Sequence, residues 1–556
     1  MQDESRRRLL IAGLLLGMFF SSLDQTIVGT AMPRIIGELG GLSLLVWVTI
    51  GYMLSSTTIV PIAGKLADLF GRRTIYLTGM GVFLLGSVLC GTAADMTQLI
   101  LFRAVQGLGG GMLMPMSMTI VGDIFPPEQR GKWQGLMGAV FGLSSIVGPT
   151  IGGWIVDNSH WRWIFYINIP VGILAAVTIW AGLHGEKRRA EKVVIDWAGV
   201  VTLVVGAVTL LLGLSLSGKE FAWGSWQCLS LFATAAVFIT LFILAERRAK
   251  DPLLDFGFFR NRTFLVANLI GFIQGFGMFG AIMFLPLFLQ GVIGVSATNS
   301  GNTMIPMMGA LMLTSIVGGR FIAKVSFRTF YVIGLGFMAL AFYLMSGLSA
   351  ETTQLQAILD IVLLGLGLGL LMPTTILAVQ TAFPPEKRGV VTAATQFFRQ
   401  IGSTLGMAIL GVVLNNRSLH YLNEHFFPQI DANPMIKASS FGPMLEKAHT
   451  DPQGLFNLLL APKALEKIPA PFRKMLTDPL KVALVDSLKY VFLAAMGILI
   501  VGMFVGLFSG KARVPPMTQA KKATFEEMGK EILAEDPACE GVPACMEPDL
   551  VGEKEA

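Results

Sequence analysis

The stretch FPPEQRG at Phe125–Gly131 returns as FPPEKRG at Phe383–Gly389, 258 residues later and changed at one position. A polar, proline-bearing heptapeptide stands out in a chain this apolar, so its return decides how the chain divides. The match runs further. At the same shift GLGGGMLMP (107–115) falls on GLGLGLLMP (365–373), keeping Gly107, Gly109, Gly111, Leu113, Met114 and Pro115. Identities held in one register over 25 positions mark a tandem duplication. Each heptapeptide joins two apolar runs on the same side, so each half repeats six spans in one orientation.

Composition says what solvent surrounds those spans. Of 556 residues 53% are hydrophobic and only 14% charged, against about 25% charged in a soluble domain. Fourteen apolar runs are each long enough to cross about 30 Å of hydrocarbon. Six precede residue 185, two lie near 196–216 and 226–246, and six follow. Helices are expected, because closed barrels alternate polar and apolar residues over short strands and these runs do not. The 63 glycines suit close helix approach in a bilayer.

Lysine and arginine give the orientation. Arg6–Arg8, Lys65 with Arg72 and Arg73, Arg130 with Lys132, EKRRAEK, ERRAK, Lys324 with Arg328, and Lys387 with Arg388 share one side. The short loops opposite hold only Arg34, Arg162 and Lys219. The positive-inside rule puts both termini in the cytoplasm, and the net charge of +6 is loop bias, not a nucleic-acid footprint. The expected fold is all-α: an N-terminal six-helix bundle (1–185), two inserted helices with linkers (186–255) and a C-terminal six-helix bundle (256–510). A long outer loop (415–483) and a flexible cytoplasmic tail (511–556) complete it. The loop's short amphipathic patterns make it a candidate gate or a docking surface for an outer-side partner, with a passive cap as the plainer reading.

Cys90 and Cys228 fall in or beside apolar spans, and Cys539 and Cys545 fall in the tail at a spacing that matches no metal motif. No metal or cofactor is expected. A phosphate loop, a paired-histidine metal motif and a nucleophile elbow are all missing, which argues against an enzyme.

Function in a duplicated chain should lie where the copies diverge. The loop after the second span reads GKLADLFGRRT (Gly64–Thr74), and its counterpart at 319–329 reads GRFIAKVSFRT. Asp68 and Gly71 are therefore particular to the first half. Glycine permits a sharp turn, and Asp68 with Arg72 and Arg73 can latch a neighbouring helix end. A topology anchor would need the arginines but not Asp68. In the fourth span Arg103 lies at membrane depth where the second half has Ile361. A charge there points to function unless it snorkels to the surface. The fifth span reads GLSSIVGPTIGG (142–153), and its counterpart lacks the Gly-Pro pair. Gly148, Pro149, Gly152 and Gly153 predict a kinked, closely packed helix. Asp24, in LDQTIVGTAMP, lies about four turns into the first span without a charged neighbour on its own helix. Such an acid is placed to load and release a proton, with Arg103 as candidate partner.

Together these residues resemble the major facilitator superfamily, in its fourteen-span drug:proton antiporter branch of multidrug and quaternary-ammonium exporters. GKLADLFGRR is similar to the superfamily's loop signature, RAVQGLGGG to its fourth-span arginine motif and GLSSIVGPTIGG to its antiporter motif. LDQTIVGTAMP and WRWIFYINIPVG (161–172) are similar to signatures of the fourteen-span branch. The resemblance implies two bundles rocking around a central cavity in the cytoplasmic membrane. It implies Asp24 and Arg103 as the coupling pair, Gly64, Asp68, Gly71, Arg72 and Arg73 as the gating latch, and Gly148 and Pro149 as a bend limiting leak. The expected activity is export of lipophilic drugs, dyes and monovalent organic cations against protons, with sodium as the alternative ion and a single chain as the working unit. A dedicated exporter of an endogenous lipid, siderophore or antibiotic is the alternative. A proton:solute symporter fits the Gly-Pro pair less well. Relatives that export divalent cations carry further acids in the tenth and thirteenth spans. Here the tenth has none and the thirteenth offers Arg399. Candidate cavity residues are Phe20, Tyr52, Phe141, Gln274, Phe279, Gln396 and Phe398.

Overall fold

The computed structural model describes residues 2–39, 44–183, 196–217, 221, 224–249, 252–295, 297–322, 324–428, 470–510 and 512–513. Among them the structure is helical, with a single isolated bridge between Ser217 and Phe221. The first half contains α1 (Gln2–Leu39), α2 (Leu45–Phe70), α3 (Arg72–Thr92), α4 (Met96–Ile124), α5 (Pro127–Asn158), the short α6 (Trp163–Tyr166) and α7 (Asn168–Gly182). A hairpin follows, α8 (Trp197–Leu216) and α9 (Trp226–Arg248). The second half contains α10 (Arg262–Phe288), the short α11 (Ala297–Thr303), α12 (Ile305–Phe321), α13 (Phe327–Ser346), α14 (Gln354–Ala382), α15 (Arg388–Tyr421) and α16 (Ala470–Leu507). With α6–α7 and α11–α12 each making one pass, these are fourteen passes.

Twelve of the passes are long and apolar enough to cross a membrane. The other two are α2 and α5. These are the helices that pack across to the second half, α2 on α15 and α5 on α12. A helix covered by protein needs less apolar surface than one facing lipid, which accounts for their serine, threonine and glycine content. The hairpin α8–α9 lies outside, where Leu203, Phe242 and Leu253 pack with Ile62 of α2.

The two heptapeptides make the same kind of turn. Phe125 caps the C-terminus of α4 and Pro126 precedes α5, with Pro127 at its first position. Phe383 ends α14, and Pro385–Lys387 form one 3-10 turn before α15. Proline suits a helix start because its missing N–H would have no partner there. Between α2 and α3 the turn is a single residue, Gly71, at φ 90°, a conformation that favours glycine.

The long outer loop is shorter than expected. Helix α15 continues past residue 414 to Tyr421, and α16 begins at Ala470. The extension is held by packing between the two: Ser418 Oγ lies 2.9 Å from Ser487 Oγ, and the Arg417 guanidinium stacks on the Tyr490 ring at 3.5 Å. Residues 429–469 of that loop, the linker 186–195 and, apart from 512–513, the tail with Cys539 and Cys545 lie outside the described residues. Cys90 and Cys228 are buried free thiols.

Candidate functional site: a buried ion pair, a two-half latch and the cavity between them

Asp24 of α1 is fully buried inside the first half. Its Oδ2 accepts from Arg103 Nη1 of α4 at 2.5 Å, and its Oδ1 accepts from Gln106 Nε2 at 2.8 Å and from Asn168 Nδ2 of α7 at 2.9 Å. Gln106 Oε1 in turn accepts from Arg103 Nη1 at 2.7 Å. Ser87 of α3 accepts from Gln106 Nε2 at 2.7 Å and from Asn168 Nδ2 at 3.2 Å. Three helices therefore meet on one carboxylate, each of its contacts is a donor, and α3 joins them through Ser87. Arg103 does not snorkel: it is 2% exposed and its guanidinium stacks on the Tyr52 ring at 4.3 Å. Paired in this way, two charges tolerate an apolar interior that would reject either alone. The helpers Gln106, Asn168 and Ser87 went unnoticed in the sequence because neutral polar residues carry no charge signal.

The glycine segment of α5 touches the same place. Thr26 Oγ1, two residues from Asp24, donates to Ser144 O at 3.1 Å, and Ser144 Oγ donates to Phe19 O at 3.0 Å. A Cβ at Gly148 would collide with Thr26, so this glycine sets how closely α5 approaches α1. Gly152 is buried. Gly153 has open space beside it and takes no part in the close packing expected of it. The side chain of Pro149 is not among those described, and α5 runs as one helix through this position.

At the end of the molecule that carries the basic loops, the two halves are tied together. Asp68 sits at the N-terminus of α15, where Oδ1 accepts from Gly389 N at 3.1 Å and Oδ2 from Val390 N at 2.9 Å. The free N–H groups and dipole of a helix start favour a carboxylate. Arg72 Nη1 pairs with Asp68 at 2.5 Å, and its Nε with Asp123 at 3.2 Å. Asp123 also meets Arg388 Nη1 at 3.2 Å. Arg388 belongs to the second heptapeptide, and Asp123 lies just before the first. Gly64 and Gly389 are the contact point beneath: a Cβ at Gly64 would stand 2.8 Å from Gly389 O, and one at Gly389 would stand 2.6 Å from Gly64 O. Arg73 lies over the Trp180 ring of α7, 5.4 Å from the centroid. Asp123 and Arg388 join Asp68 and Arg72 in this cluster.

The opposite end of the first half has its own cluster. Glu38 accepts from Arg162 Nη1 at 2.5 Å and from Trp161 Nε1 at 2.8 Å, and Arg162 Nη2 donates to Ala93 O at 3.1 Å. The Arg162 hydrogen bond, with that of Trp161, holds the Glu38 carboxyl below its ordinary range. Glu38 lies beyond the apolar stretch Arg8–Gly29.

Between the halves is a cavity of about 150 Å³. Ser21, Ser22, Gln25 and Tyr52 line it from the first half, and Phe279, Gln396, Arg399, Gln400, Ser403 and Thr404 from the second. Asp24 is not on its wall; Tyr52 is, with Arg103 behind it. Of the cavity candidates, Tyr52, Phe279 and Gln396 fall on this lining. Gln274 is fully buried off the lining. Phe20 packs on Phe19 with ring centroids 5.2 Å apart and is also off it. Phe398 lines a different, apolar cavity of about 240 Å³ between the hairpin and α15. An aromatic residue in an apolar helix carries no information about which face it occupies, which is why Phe20 and Phe398 fall off this lining. The side chain of Phe141 is not among those described. The rest of the lining was readable: Arg399, Gln400, Ser403 and Thr404 follow Gln396 at helical spacing in an otherwise apolar span.

This arrangement, two repeated bundles with a charged pair inside one and a cavity between them, defines a membrane transporter. The family model of the Major Facilitator Superfamily matches residues 14–407, and the chain belongs to that superfamily. Its members are transporters, not enzymes, and this chain is a multi-pass membrane protein. It is 48% identical over 532 residues to the multidrug transporter protein MdtP of Bacillus subtilis strain 168, covering 96% of this chain and 97% of that one. It is 37% identical over 519 residues to multidrug resistance protein 3 of the same organism, covering 93% and 98%. Among solved structures, that of the human organic anion transporter MFSD10 aligns with a TM-score of 0.55 at 13% identity, covering 88% of this chain and 99% of that one. At that identity the likeness shows the fold alone.

Proposed function

We propose that this chain is a proton-coupled antiporter that exports lipophilic small molecules by alternating access. The observation that carries the reading is the Asp24 network, a fully buried carboxylate held by three donor side chains from two other helices. Such an acid can exchange its arginine for a proton only if the helices around it move, which ties its protonation to the bundle's conformation. Tyr52 is the physical link, since it lines the cavity and stacks on Arg103. Ser144 and Gly148 transmit the position of α1 to α5. The relatives named as multidrug transporters support export of drug-like substrates.

The Asp68–Arg72–Asp123–Arg388 latch closes the basic end and must break for that end to open. Gly64 and Gly71 serve it by permitting close approach and the sharp turn. By the positive-inside rule the basic end faces the cytoplasm, with both termini there, in the cytoplasmic membrane of a bacterium. The state described here is then closed toward the cytoplasm.

The test is accumulation of a panel of lipophilic dyes in proteoliposomes under an imposed pH gradient, using the full chain. Antiport predicts uphill accumulation of at least one dye, lost when a protonophore collapses the gradient. Flux that only equilibrates the dye, indifferent to the protonophore, would overturn the reading.

A further inference from the structure

The second half places one charge on the cavity wall. Arg399 is the only charged residue among the lining side chains described. It is 8% exposed, and its guanidinium makes no hydrogen bond or ion pair with any described residue, whereas Arg72, Arg103, Arg162 and Arg388 each have a carboxylate. The acids nearby are committed elsewhere. Asp24 pairs with Arg103, and Asp68 and Asp123 pair at the basic end. Asp360 of α14 is buried away from this lining. The cavity as built therefore carries an uncompensated positive charge.

We propose that this cavity selects lipophilic anions, amphiphiles with one carboxylate or sulfonate, and that Arg399 binds the anionic group. The proposal rests on the export reading and narrows its substrate class, away from the monovalent organic cations suggested by sequence. An unpaired guanidinium in a low-dielectric interior costs several kcal/mol unless water or an anion satisfies it. A substrate that displaces the water must replace its hydrogen bonds, and a planar guanidinium fork fits a carboxylate in two-point contact. A cation in the same space meets like charge in low dielectric, an arrangement that opposes binding. The other wall groups suit the rest of such a molecule. Gln400, Ser403 and Thr404 flank Arg399 as neutral hydrogen-bonding groups, and Gln400 Oε1 is buried without a partner. Met18, Met53, Met114, Met278 and Met372 supply an adaptable apolar surface for the lipophilic body.

The experiment compares two xanthene dyes of similar shape and opposite charge, anionic fluorescein and cationic rhodamine 123. Binding to the detergent-solubilised full chain is read by fluorescence polarisation, and gradient-driven accumulation is read in proteoliposomes. The wild type should favour fluorescein. Arg399→Gln should weaken fluorescein by about tenfold or more, the size of one charge-assisted hydrogen bond, and should tighten rhodamine 123. Arg399→Lys should keep part of the fluorescein preference, which shows that charge and not folding is at issue. The proposal is overturned if the wild type favours rhodamine 123 or binds neither dye, or if Arg399→Gln leaves fluorescein unchanged or weakens both dyes alike. Arg399-dependent fluorescein binding without gradient-driven movement would sink the antiport reading and leave the charge selection standing. Gradient-driven movement of rhodamine 123 alone would do the reverse.

Discussion

The two halves share a helical plan and divide the charges unequally. The first half supplies the acids at both places that matter, Asp24 in its interior and Asp68 and Asp123 at the basic end. The second half supplies donors: the N–H groups of Gly389 and Val390, Arg388 and Arg399. Arg103 and Arg399 show what the division does. Both are buried arginines, but Arg103 is enclosed with its acid while Arg399 lines the cavity without one. A paired charge holds helices together. An unpaired one is available to a ligand.

That contrast breaks most easily at the ion pair. Arg103→Leu leaves Asp24 buried and unpaired, and loss of one partner of a buried pair costs about 3–5 kcal/mol. Thermal melts in detergent should fall sharply for Arg103→Leu and recover in part when Asp24→Leu is added. Arg399→Leu should melt no lower than the wild type, because it removes an uncompensated charge. A fall as deep as that of Arg103→Leu would erase the distinction between the two arginines.

The next effect is at the basic end. Asp68→Ala removes two charged hydrogen bonds to the start of α15, each worth about 1.5–3 kcal/mol. The halves should separate there, lengthening the distance between spin labels placed at the exposed Gln129 and Glu386 in a cysteine-free background. Gly64→Val should lengthen it as well, by collision with Gly389 and Ala393 and without removing any charge. If neither variant changes the distance distribution, the latch does not hold the halves.

Arg388→Gln should shift the same distance less, by about 1 kcal/mol of population, since its contacts to Asp123 and to Gly122 O are longer, at 3.2 Å and 3.3 Å. The smallest change belongs to α5. Gly153→Ala enters open space and should stabilise the helix by at most about 1 kcal/mol. Gly148→Ala strikes Thr26 and should lower the melting temperature. Equal responses at the two glycines would mean that α5 does not gauge the position of α1.

Much of this was legible in the sequence because charge in an apolar chain stands out. Asp24, Arg103 and Asp68 each announce themselves, and the heptapeptide repeat gives the two halves. The partners are harder. Gln106 and Asn168 lie 82 and 144 residues from Asp24 and are uncharged, so nothing in the local pattern links them to it. Asp123 reads as an ordinary loop acid until the fold brings it between Arg72 and Arg388. Arg73 reads as the twin of Arg72, but successive residues on a helix point about 100° apart, and Arg73 meets the Trp180 ring where Arg72 meets Asp68 and Asp123. Facing direction also defeated Phe20 and Phe398. The polar stripe from Gln396 to Thr404 was visible and had more to say than the aromatic residues did.

The central claim is that Asp24 couples the gradient to export. Its most direct test is uphill dye accumulation in proteoliposomes by Asp24→Asn beside the wild type, with dye binding measured on both. The variant should still bind dye and lose uphill accumulation. Undiminished accumulation by Asp24→Asn would contradict it.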